Sequence, residues 1–354
     1  MRRIAAITVG FLVLFGMTSP AWACGGLVNP NGTVSLLRTS TFVGYVDGVE
    51  HYVTSFEFAG GGAEFGSIIP LPGVPTKVER AGDWTLQRLV QEVAPPVRDL
   101  VLEQAAGAAN FDSAKVLLET RIDALDITIL EGGGDEVGRW AKENGFALTP
   151  DAPEILDFYA ARSPIFMAAR FDPSAAAEDD QSVGDGTPIH LTIPTPNPWV
   201  PLRILTLGVG ERSLVEADVF LLTEGRPQML PEPVIREDDG MILERSVEAS
   251  KLLLSDLRSD KGMDWIPASD MWFSYLRINT KAGDLSHDLA IEARGIGQPS
   301  PVAAGLVAPG VSASSFPEIE SQSAEGGALL WLVLGIGIAA GSIWWMGRPW
   351  SASD

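Results

Sequence analysis

The stretch Ile127–Arg170, ITILEGGGDEVGRWAKENGFALTPDAPEILDFYAARSPIFMAAR, carries the clearest pattern in this chain of 354 residues. Just before and at its start, Leu125, Ile127 and Ile129 alternate with polar residues. This alternation has the period of a β-strand that buries one face. Three glycines at 132–134 follow and favour a turn. The pattern therefore predicts a half-buried strand that ends in a glycine-rich connection.

Two helices and a second strand are predicted in the rest of this stretch. The first helix runs from Glu136 to Asn144, with Asp135 as its N-cap and Gly145 after its last turn. The second helix covers Pro153–Arg162, and its apolar residues recur at helical spacing. Ile165–Phe171 then returns as a strand. Together these elements predict a strand–helix–helix–strand unit.

The rest of the chain reads mostly as strands. Asp47-Gly48 lies between the apolar segments Phe42–Val46 and Val49–Phe58, and this dipeptide accepts the positive φ angles of a tight hairpin turn. Trp84–Val93 is predicted as a helix with Asp83 as its N-cap. One more helix is expected at Val247–Leu257, and further strands at Phe65–Leu71, Pro188–Ile193, Leu202–Val209, Ala217–Thr223, Trp272–Ile278 and Leu289–Arg294.

These elements predict an α+β fold with mixed, mainly antiparallel sheets and a few short helices. Two lobes are expected: an N-terminal α+β lobe at 24–173 and a β-rich lobe at 188–297, joined by an acidic loop at 174–187. From 298 to 325 the composition shifts to Pro, Ala, Ser and Gly, which predicts a flexible stalk.

The N-terminus has the three parts of a secretory signal. Arg2 and Arg3 precede an apolar run, Ile4–Met17, and small residues in an A-x-A arrangement end at Ala23. An apolar run of this length is too short to span a bilayer of about 30 Å as a helix. We predict a signal peptide at 1–23 that is cleaved between Ala23 and Cys24.

Cys24 is the only cysteine of the chain. Outside the cytoplasm its thiol could form an intermolecular disulfide, and lipid attachment is a second alternative, although bulky Trp22 departs from the usual lipoprotein pattern. The simplest interpretation is a residue tolerated beside the cleavage site, without a catalytic role.

A second apolar segment lies near the C-terminus. Gly326–Met346 has 21 residues and no charge, enough to cross the hydrocarbon core as a helix. We predict a transmembrane helix at 326–347. Arg348 follows it, so the tail at 348–354 is placed in the cytoplasm and the folded part outside the cell membrane.

Gly337 and Gly341 form a G-x-x-x-G step within this predicted helix. Such a step can let two membrane helices approach closely. The alternative is that glycine is simply common in membrane helices.

Composition excludes several classes of function. Without Arg2 and Arg3 the chain has 23 basic and 46 acidic residues, a net charge of −23, so nucleic acid should be repelled. One cysteine cannot form an intramolecular disulfide or the cysteine-based zinc patterns. His51, His190 and His287 are far apart and lie in no metal-binding motif, so no shared metal site and no cofactor are predicted.

Three segments resemble a bacterial family named domain of unknown function 2330. They are ACGG at the signal junction, FGSIIPLPGVP at Phe65–Pro75, and the Ile127–Arg170 stretch, in which Trp140–Phe146 matches W-x-x-x-x-G-[FY]. The resemblance covers most of residues 24–295 and weakens after about Gly210. It implies an exported, membrane-anchored bacterial protein of this architecture, and it supplies no catalytic residues.

Two proline runs suggest a binding groove. Pro70 and Pro72 in one run, and Pro194 and Pro196 in the other, lack amide donors and should leave their strand edges unpaired. They could frame a groove between the lobes, with Trp199 as an exposed aromatic anchor. The alternative is that both runs end strands and their aromatic neighbours pack locally.

Four carboxylates cluster in the segment AEDDQSVGDG. Glu178, Asp179, Asp180 and Asp185 could bind a hard cation such as calcium through oxygen ligands. The spacing lacks the pattern of a calcium-binding loop, so a solvated acidic loop is the alternative.

Two functions remain open. The first is a membrane-anchored binding or scaffold module of the cell envelope, with an envelope protein or polysaccharide as partner. The second is a surface hydrolase that uses paired carboxylates, which leave no local signature in a sequence. We found no catalytic motif.

Overall fold

The structure is a computed structural model, and it describes residues 26–28, 39–56, 66–93, 115–146, 148–178, 187–235 and 237–310. Fifteen strands and five α-helices are present in these ranges. The helices are α1 (Trp84–Val93), α2 (Gly134–Glu143), α3 (Ala152–Ala160), α4 (Pro173–Glu178) and α5 (Lys251–Arg258). The strands are β1 (Gly26–Val28), β2 (Thr39–Val46), β3 (Val49–Phe56), β4 (Gly66–Pro70), β5 (Lys77–Arg80), β6 (Lys115–Ile122), β7 (Leu125–Glu131), β8 (Ile165–Phe171), β9 (Thr187–Pro194), β10 (Trp199–Val200), β11 (Leu214–Thr223), β12 (Gln228–Leu230), β13 (Gly240–Glu248), β14 (Trp272–Lys281) and β15 (Leu289–Glu292).

The largest sheet has seven strands in the order β13-β14-β11-β2-β3-β9-β5. All neighbours are antiparallel except β11 and β2, which are parallel. The β2–β3 hairpin turns at Asp47 and Gly48, whose φ angles are 52° and 80°. These positive angles are those of the tight turn that the Asp-Gly dipeptide predicts.

A second sheet has five antiparallel strands in the order β1-β4-β8-β7-β6. Strands β7 and β8 are direct neighbours, with Ile127 opposite Ala169 and Ile129 opposite Met167. The chain between them forms α2 and α3. The predicted strand–helix–helix–strand unit is therefore confirmed.

The two sheets pack face to face. Their inner faces share one hydrophobic core, to which the seven-stranded sheet contributes Val43, Tyr52 and Leu191, and the five-stranded sheet contributes Ile129 and Met167. Strand residues alternate between the two faces of a sheet, so the neighbours of these residues point outward. Each outer face then needs a separate covering layer.

Helices provide both covering layers. On the five-stranded sheet, Val137 and Trp140 of α2 and Leu156 of α3 pack with Phe166. On the seven-stranded sheet, a second cluster joins helices α1 and α5 to the outward-facing side chains. The order of layers is helix, sheet, sheet, helix. The predicted α+β class with mainly antiparallel sheets and few helices is confirmed.

A small third sheet, in the order β10-β15-β12, contributes to two of these cores. Val200 and Ile291 belong to the core between the large sheets, whereas Trp199 and Ala290 belong to the core beneath α2 and α3. Segments from the second half of the chain therefore complete cores that the first half begins.

The structure differs from the expected arrangement in two lobes. The seven-stranded sheet combines β2, β3 and β5, from before the expected boundary at 174–187, with β9, β11, β13 and β14, from after it. The described residues up to Pro309 belong to one compact unit. Long-range pairing of β11 with β2 and of β9 with β3 joins the two halves, and local patterns do not reveal such pairing.

Two predicted elements also differ from expectation. Leu202–Val209 is not a strand: Arg203–Thr206 forms a 3-10 turn, because Leu202 and Arg203 donate backbone N–H groups to Asp288. Helix α5 begins at Lys251, since Ser250 caps it, and Val247 pairs with Phe273 in β13.

The segment expected as an acidic loop begins with α4. Asp172 Oδ1 accepts hydrogen bonds from the backbone N–H groups of Ser174 and Ala175, and so caps this helix. The expected stalk also starts later than position 298, because Ala303 and Ala304 are buried and Asp288 N–H donates to the carbonyl of Ala304.

Candidate functional site

The glycine run after β7 forms the start of α2. Gly133 is the N-cap residue in an extended conformation, and its N–H donates to Glu136 Oε2 at 2.8 Å. The Gly133 carbonyl accepts from the N–H groups of Glu136 and Val137. The predicted N-cap, Asp135, is wrong by two positions, because the Glu136 carboxylate reaches back to Gly133. Asp135 instead lies in the first turn of α2.

One glycine allows α2 to lie close to α3. A Cβ atom at Gly134 would lie 2.7 Å from the backbone nitrogen of Asp157, which is closer than real Cβ atoms approach. A Cβ atom at Gly138 would lie 3.4 Å from Leu148 Cδ1 and 3.8 Å from Leu156 Cδ1. Glycine at 134 therefore permits the close approach of the two helices, whereas a Cβ atom at 138 would make only ordinary contacts with the two leucines.

A cleft of about 240 Å³ lies between these helices, and we call it the α2–α3 cleft. Its walls combine an apolar floor with exposed charged side chains of α2. Charges of both signs are present, an arrangement suited to a small charged ligand. The lining residues are Gly134, Asp135, Gly138, Arg139, Lys142, Leu148, Pro153 and Leu156.

The cations of the α2–α3 cleft are not neutralised within the described residues. Neither Arg139 nor Lys142 has a carboxylate oxygen within 4.0 Å there. Other arginines of the described ranges do pair with carboxylates, for example Arg162 with Asp288 at 2.6 Å. Arg139 and Lys142 are therefore available for a bound group. They lie inside the stretch with the clearest sequence pattern, and the signal that could have found them is the polar face of α2 beside Gly134 and Gly138.

The two predicted proline runs lie next to each other. Pro70 ends β4 and pairs with Phe166, and the chain then passes along the end of β9, where Thr76 N–H donates to the carbonyl of Thr192. A Cβ atom at Gly73 would lie 3.2 Å from the carbonyl oxygen of Pro194. Pro72 is half-buried, whereas Pro194 and Pro196 are exposed.

Trp199 is not an exposed anchor, because it is only 3% exposed. Its ring stacks on Tyr159 at a centroid distance of 5.6 Å, and the Arg162 guanidinium lies 4.8 Å from its centre. Asp288 accepts from Tyr159 Oη at 2.8 Å and binds Arg162. The buried charges are fully paired, so this cluster holds the third sheet against α3.

Three of the four predicted calcium ligands lie outside the described residues. Glu178 is the last residue of α4, while Asp179, Asp180 and Asp185 lie outside the described residues, as do Ala23, Cys24, Gly337 and Gly341. Within the described ranges there is no group of three or more His, Cys, Asp or Glu residues suited to a metal ion. No helix among the described residues is long and apolar enough to span a bilayer, and 326–347 is outside them.

Two histidines that are 139 positions apart meet on the outer face of the seven-stranded sheet. His51 Nδ1 and His190 Nε2 are 2.9 Å apart, so one ring donates an N–H to the other. Their positions in the sequence do not predict this contact, because strand pairing between β3 and β9 is not a local property. His190 Nδ1 also lies 3.5 Å from Glu79 Oε1.

Burial keeps this histidine pair neutral. Desolvation lowers the pKa of His51 to about 3, and the neighbouring His190 adds to the effect. Desolvation likewise lowers the pKa of His190 to about 4, although Glu79 acts in the opposite direction. The Trp265 ring lies flat on His51 at 3.8 Å, and Gly44 leaves the space that this ring fills.

Glu50 is a fully buried acid on the inner face of β3. Its Oε2 accepts from the Trp199 backbone N–H at 3.2 Å, and burial raises its pKa to about 8. It is therefore protonated at pH 7, as a general acid must be. A residue with no exposed surface cannot reach a substrate, so Glu50 affects stability rather than catalysis.

The fold and the α2–α3 cleft define a four-layer α+β protein with a charged surface cleft. The family described as uncharacterized proteins conserved in bacteria, domain of unknown function 2330, matches residues 18–228. Because this match covers more than half of the chain, the protein belongs to that bacterial family. The match includes the whole α2–α3 cleft and ends at β12. No curated protein matches the sequence.

Some solved structures of baculovirus P35 are similar to this protein. The crystal structure of baculovirus P35 has a TM-score of 0.40 at 10% identity, covering 73% of this chain and 96% of that one. A mutated P35 after caspase cleavage has a TM-score of 0.35 at 11% identity, covering 72% and 99% of the two chains. The caspase-8/P35 complex has a TM-score of 0.33 at 10% identity, covering 73% and 94%. Similarity this low carries no conclusion about this protein.

Proposed function

We propose that this protein is a membrane-anchored, extracytoplasmic binding module of the bacterial cell envelope, and that the α2–α3 cleft is its binding site. The observation behind the proposal is that Arg139 and Lys142 are exposed and unpaired within the described residues, beside an apolar floor that includes Leu148 and Pro153. Charged groups near an apolar surface give orientation and specificity to a small ligand or to one residue of a larger partner.

The proposed location follows from the two apolar segments of the sequence. A cleaved signal at 1–23 would export the chain, and a helix at 326–347 would anchor it with its tail at 348–354 in the cytoplasm. The strongly acidic surface of the protein agrees with a partner that is not nucleic acid. On the outer side of the membrane, the protein could reach an envelope protein or a polysaccharide that carries charged groups.

The test is cross-linking of the full-length protein on intact cells. The native chain should recover an envelope component, and the variant Arg139→Glu/Lys142→Glu should recover at least about tenfold less, because the charges that attract the partner are reversed. Arg212→Glu/Lys261→Glu is the matched control: it changes the net charge equally at exposed residues away from the cleft. Equal recovery by both variants, or recovery of no envelope component, would contradict the proposal.

A further inference from the structure

Three charged side chains of α2 line one side of the α2–α3 cleft. Asp135, Arg139 and Lys142 are spaced by four and three residues, the spacing that places side chains on the same face of a helix. At about 1.5 Å per residue, Arg139 is about 6 Å and Lys142 about 10.5 Å along the axis from Asp135. The negative end of the cleft is thus next to the start of α2, and the positive end is farther along it.

All three side chains are exposed, and none makes an ion pair or hydrogen bond with another described residue. Asp135 and Arg139 stand one turn apart, yet they do not pair with each other within 4.0 Å. The cleft therefore offers an acceptor for a cation and donors for an anion at the same time.

The charge of the whole protein argues against a purely anionic ligand. The chain has a net charge of −21, and both Glu136 and Asp157 lie close to the start of α2. An anion approaching the cleft would be repelled by this field, whereas a ligand with no net charge would not. A ligand with both an ammonium and a carboxylate group fits both the local pattern and the overall charge.

The volume of the α2–α3 cleft and its apolar floor further restrict the class of ligand. A volume of about 240 Å³ is below the range of about 300–1,000 Å³ that is usual for drug-sized ligands. Leu148 and Pro153 provide apolar surface in the cleft, whereas Leu156, which also lines it, is fully buried. These dimensions suit a single amino-acid-sized group with an apolar side chain.

We propose that the α2–α3 cleft binds a zwitterionic amino-acid group, with its ammonium at Asp135, its carboxylate at Arg139 and Lys142, and its apolar side chain on the apolar floor formed by Leu148 and Pro153. This proposal rests on the proposed function and specifies the ligand of the same site. Charge-assisted hydrogen bonds at both ends would orient the ligand along α2. A free amino acid and the end of a short peptide share this chemistry.

Calorimetric titration of the full-length protein in detergent tests the ligand class with four probes. Leucine has both charges, N-acetyl-leucine lacks the ammonium group, leucinamide lacks the carboxylate, and the dipeptide leucyl-leucine separates the two charges. We expect leucine or the dipeptide to bind at least about tenfold more tightly than either blocked compound, and the tighter of the two identifies the source as amino acid or peptide.

Two variants test which end of the cleft binds the ammonium group and which binds the carboxylate. Asp135→Asn should weaken leucine binding and abolish the preference for leucine over N-acetyl-leucine. Arg139→Gln/Lys142→Gln should abolish the preference for leucine over leucinamide. Arg212→Gln/Lys261→Gln, at exposed positions elsewhere, should leave both preferences unchanged, and thermal unfolding checks that every variant is folded.

Two outcomes would overturn the zwitterion proposal. If N-acetyl-leucine bound as well as leucine, the ligand would be an anion, and the proposed envelope-binding function would remain. If no probe bound, while cross-linking on cells still depended on Arg139 and Lys142, the ligand class alone would be wrong. Loss of that dependence would instead contradict the proposed function itself.

Discussion

Glu50 is an acid placed where the surroundings disfavour its charge. It has no exposed surface, and among the described residues its carboxyl group accepts one hydrogen bond, from the Trp199 backbone, so burial raises its pKa from 4.5 to about 8. The folded protein therefore holds a proton that the unfolded chain releases above pH 4.5. The stability that this proton contributes is complete below pH 4.5 and is lost as pH rises through about 8.

Replacing Glu50 with glutamine should remove this pH dependence. The amide keeps an oxygen to accept from Trp199 and cannot ionise, so Glu50→Gln should match the native protein near pH 4.5. At pH 9 the variant should be more stable by a few kcal/mol, since one pKa unit corresponds to about 1.4 kcal/mol. Chemical denaturation at several pH values measures the difference.

Glu232→Gln is the control for this measurement, because Glu232 is exposed. It should leave the pH dependence of the native protein unchanged. Parallel stability curves for Glu50→Gln and the native protein between pH 4.5 and 9 would show that Glu50 is not the titrating group.

The conformation, capping role or burial of a single residue can be predicted from the sequence in some cases and not in others. Asp47 and Gly48 take the positive φ angles that their types favour, because a two-residue turn depends on its own backbone. The N-cap of α2 is Gly133 rather than Asp135, because the choice depends on where the Glu136 side chain finds a free N–H. Burial of Trp199 depends on α3 and the third sheet, which local composition does not contain.

Strands β3 and β9 and the segment after α5 meet at the His51–His190 pair. The groups that face it are Glu79 and Lys77 on β5 and Asp264 beside Trp265. Charged residues of the covering helices pair among themselves, as Arg88 does with Glu92 and Asp256. Acidification must therefore place charge on a pair that has little solvent to stabilise it.

Protein stability should fall on acidification because of this pair. Both folded pKa values lie below the ordinary value of 6.5, so the unfolded chain binds more protons and the contribution is lost as pH falls from 6.5 towards about 3. His51→Gln/His190→Gln should be less stable than the native protein at pH 7. Between pH 6.5 and 4, however, its free energy of unfolding should fall by at least about 1 kcal/mol less than that of the native protein.

The control for this prediction is His287→Gln, which leaves the pair intact. Burial also lowers the pKa of His287, so the control itself should lose some acid sensitivity, but less than the paired variant. Chemical denaturation at pH 6.5, 5 and 4 measures how steeply the free energy of unfolding changes with pH. If the paired variant and the control had the same slope as the native protein, the pair would not be responsible for acid sensitivity.

Element prediction succeeds where the pattern is local. Helix α1 occupies Trp84–Val93, as predicted, and β7, α2, α3 and β8 follow in the predicted order. The expected strand at Leu202–Val209 is wrong, because Asp288 binds the backbone N–H groups that a strand would use. A carboxylate 86 positions away thus overrides an apolar pattern.

The placement of the protein in its membrane is the remaining prediction. A chain that ends at Glu325 lacks the predicted helix at 326–347 and should leave the membrane fraction, because the apolar run at 4–17 is too short to replace it. Fractionation of cells that express the shortened and full-length chains measures this.

A shortened chain with Cys24→Ser separates the two anchors. If the chain that ends at Glu325 stayed in the membrane fraction and Cys24→Ser released it, lipid attachment at Cys24 would be the anchor. If neither change released it, the predicted single-helix topology would be wrong.

The sequence by itself determined the hairpin at Asp47-Gly48, the strand–helix–helix–strand unit, helix α1 and the α+β class, because turn conformation and hydrophobic periodicity arise from neighbouring residues. Only the tertiary structure decided that both halves of the chain share one seven-stranded sheet, that Trp199 is buried, and that His51 meets His190. It also placed the charges of α2 beside the apolar floor of the α2–α3 cleft. These features depend on which distant segments pair and pack, and the free energy of that pairing is not contained in any local pattern.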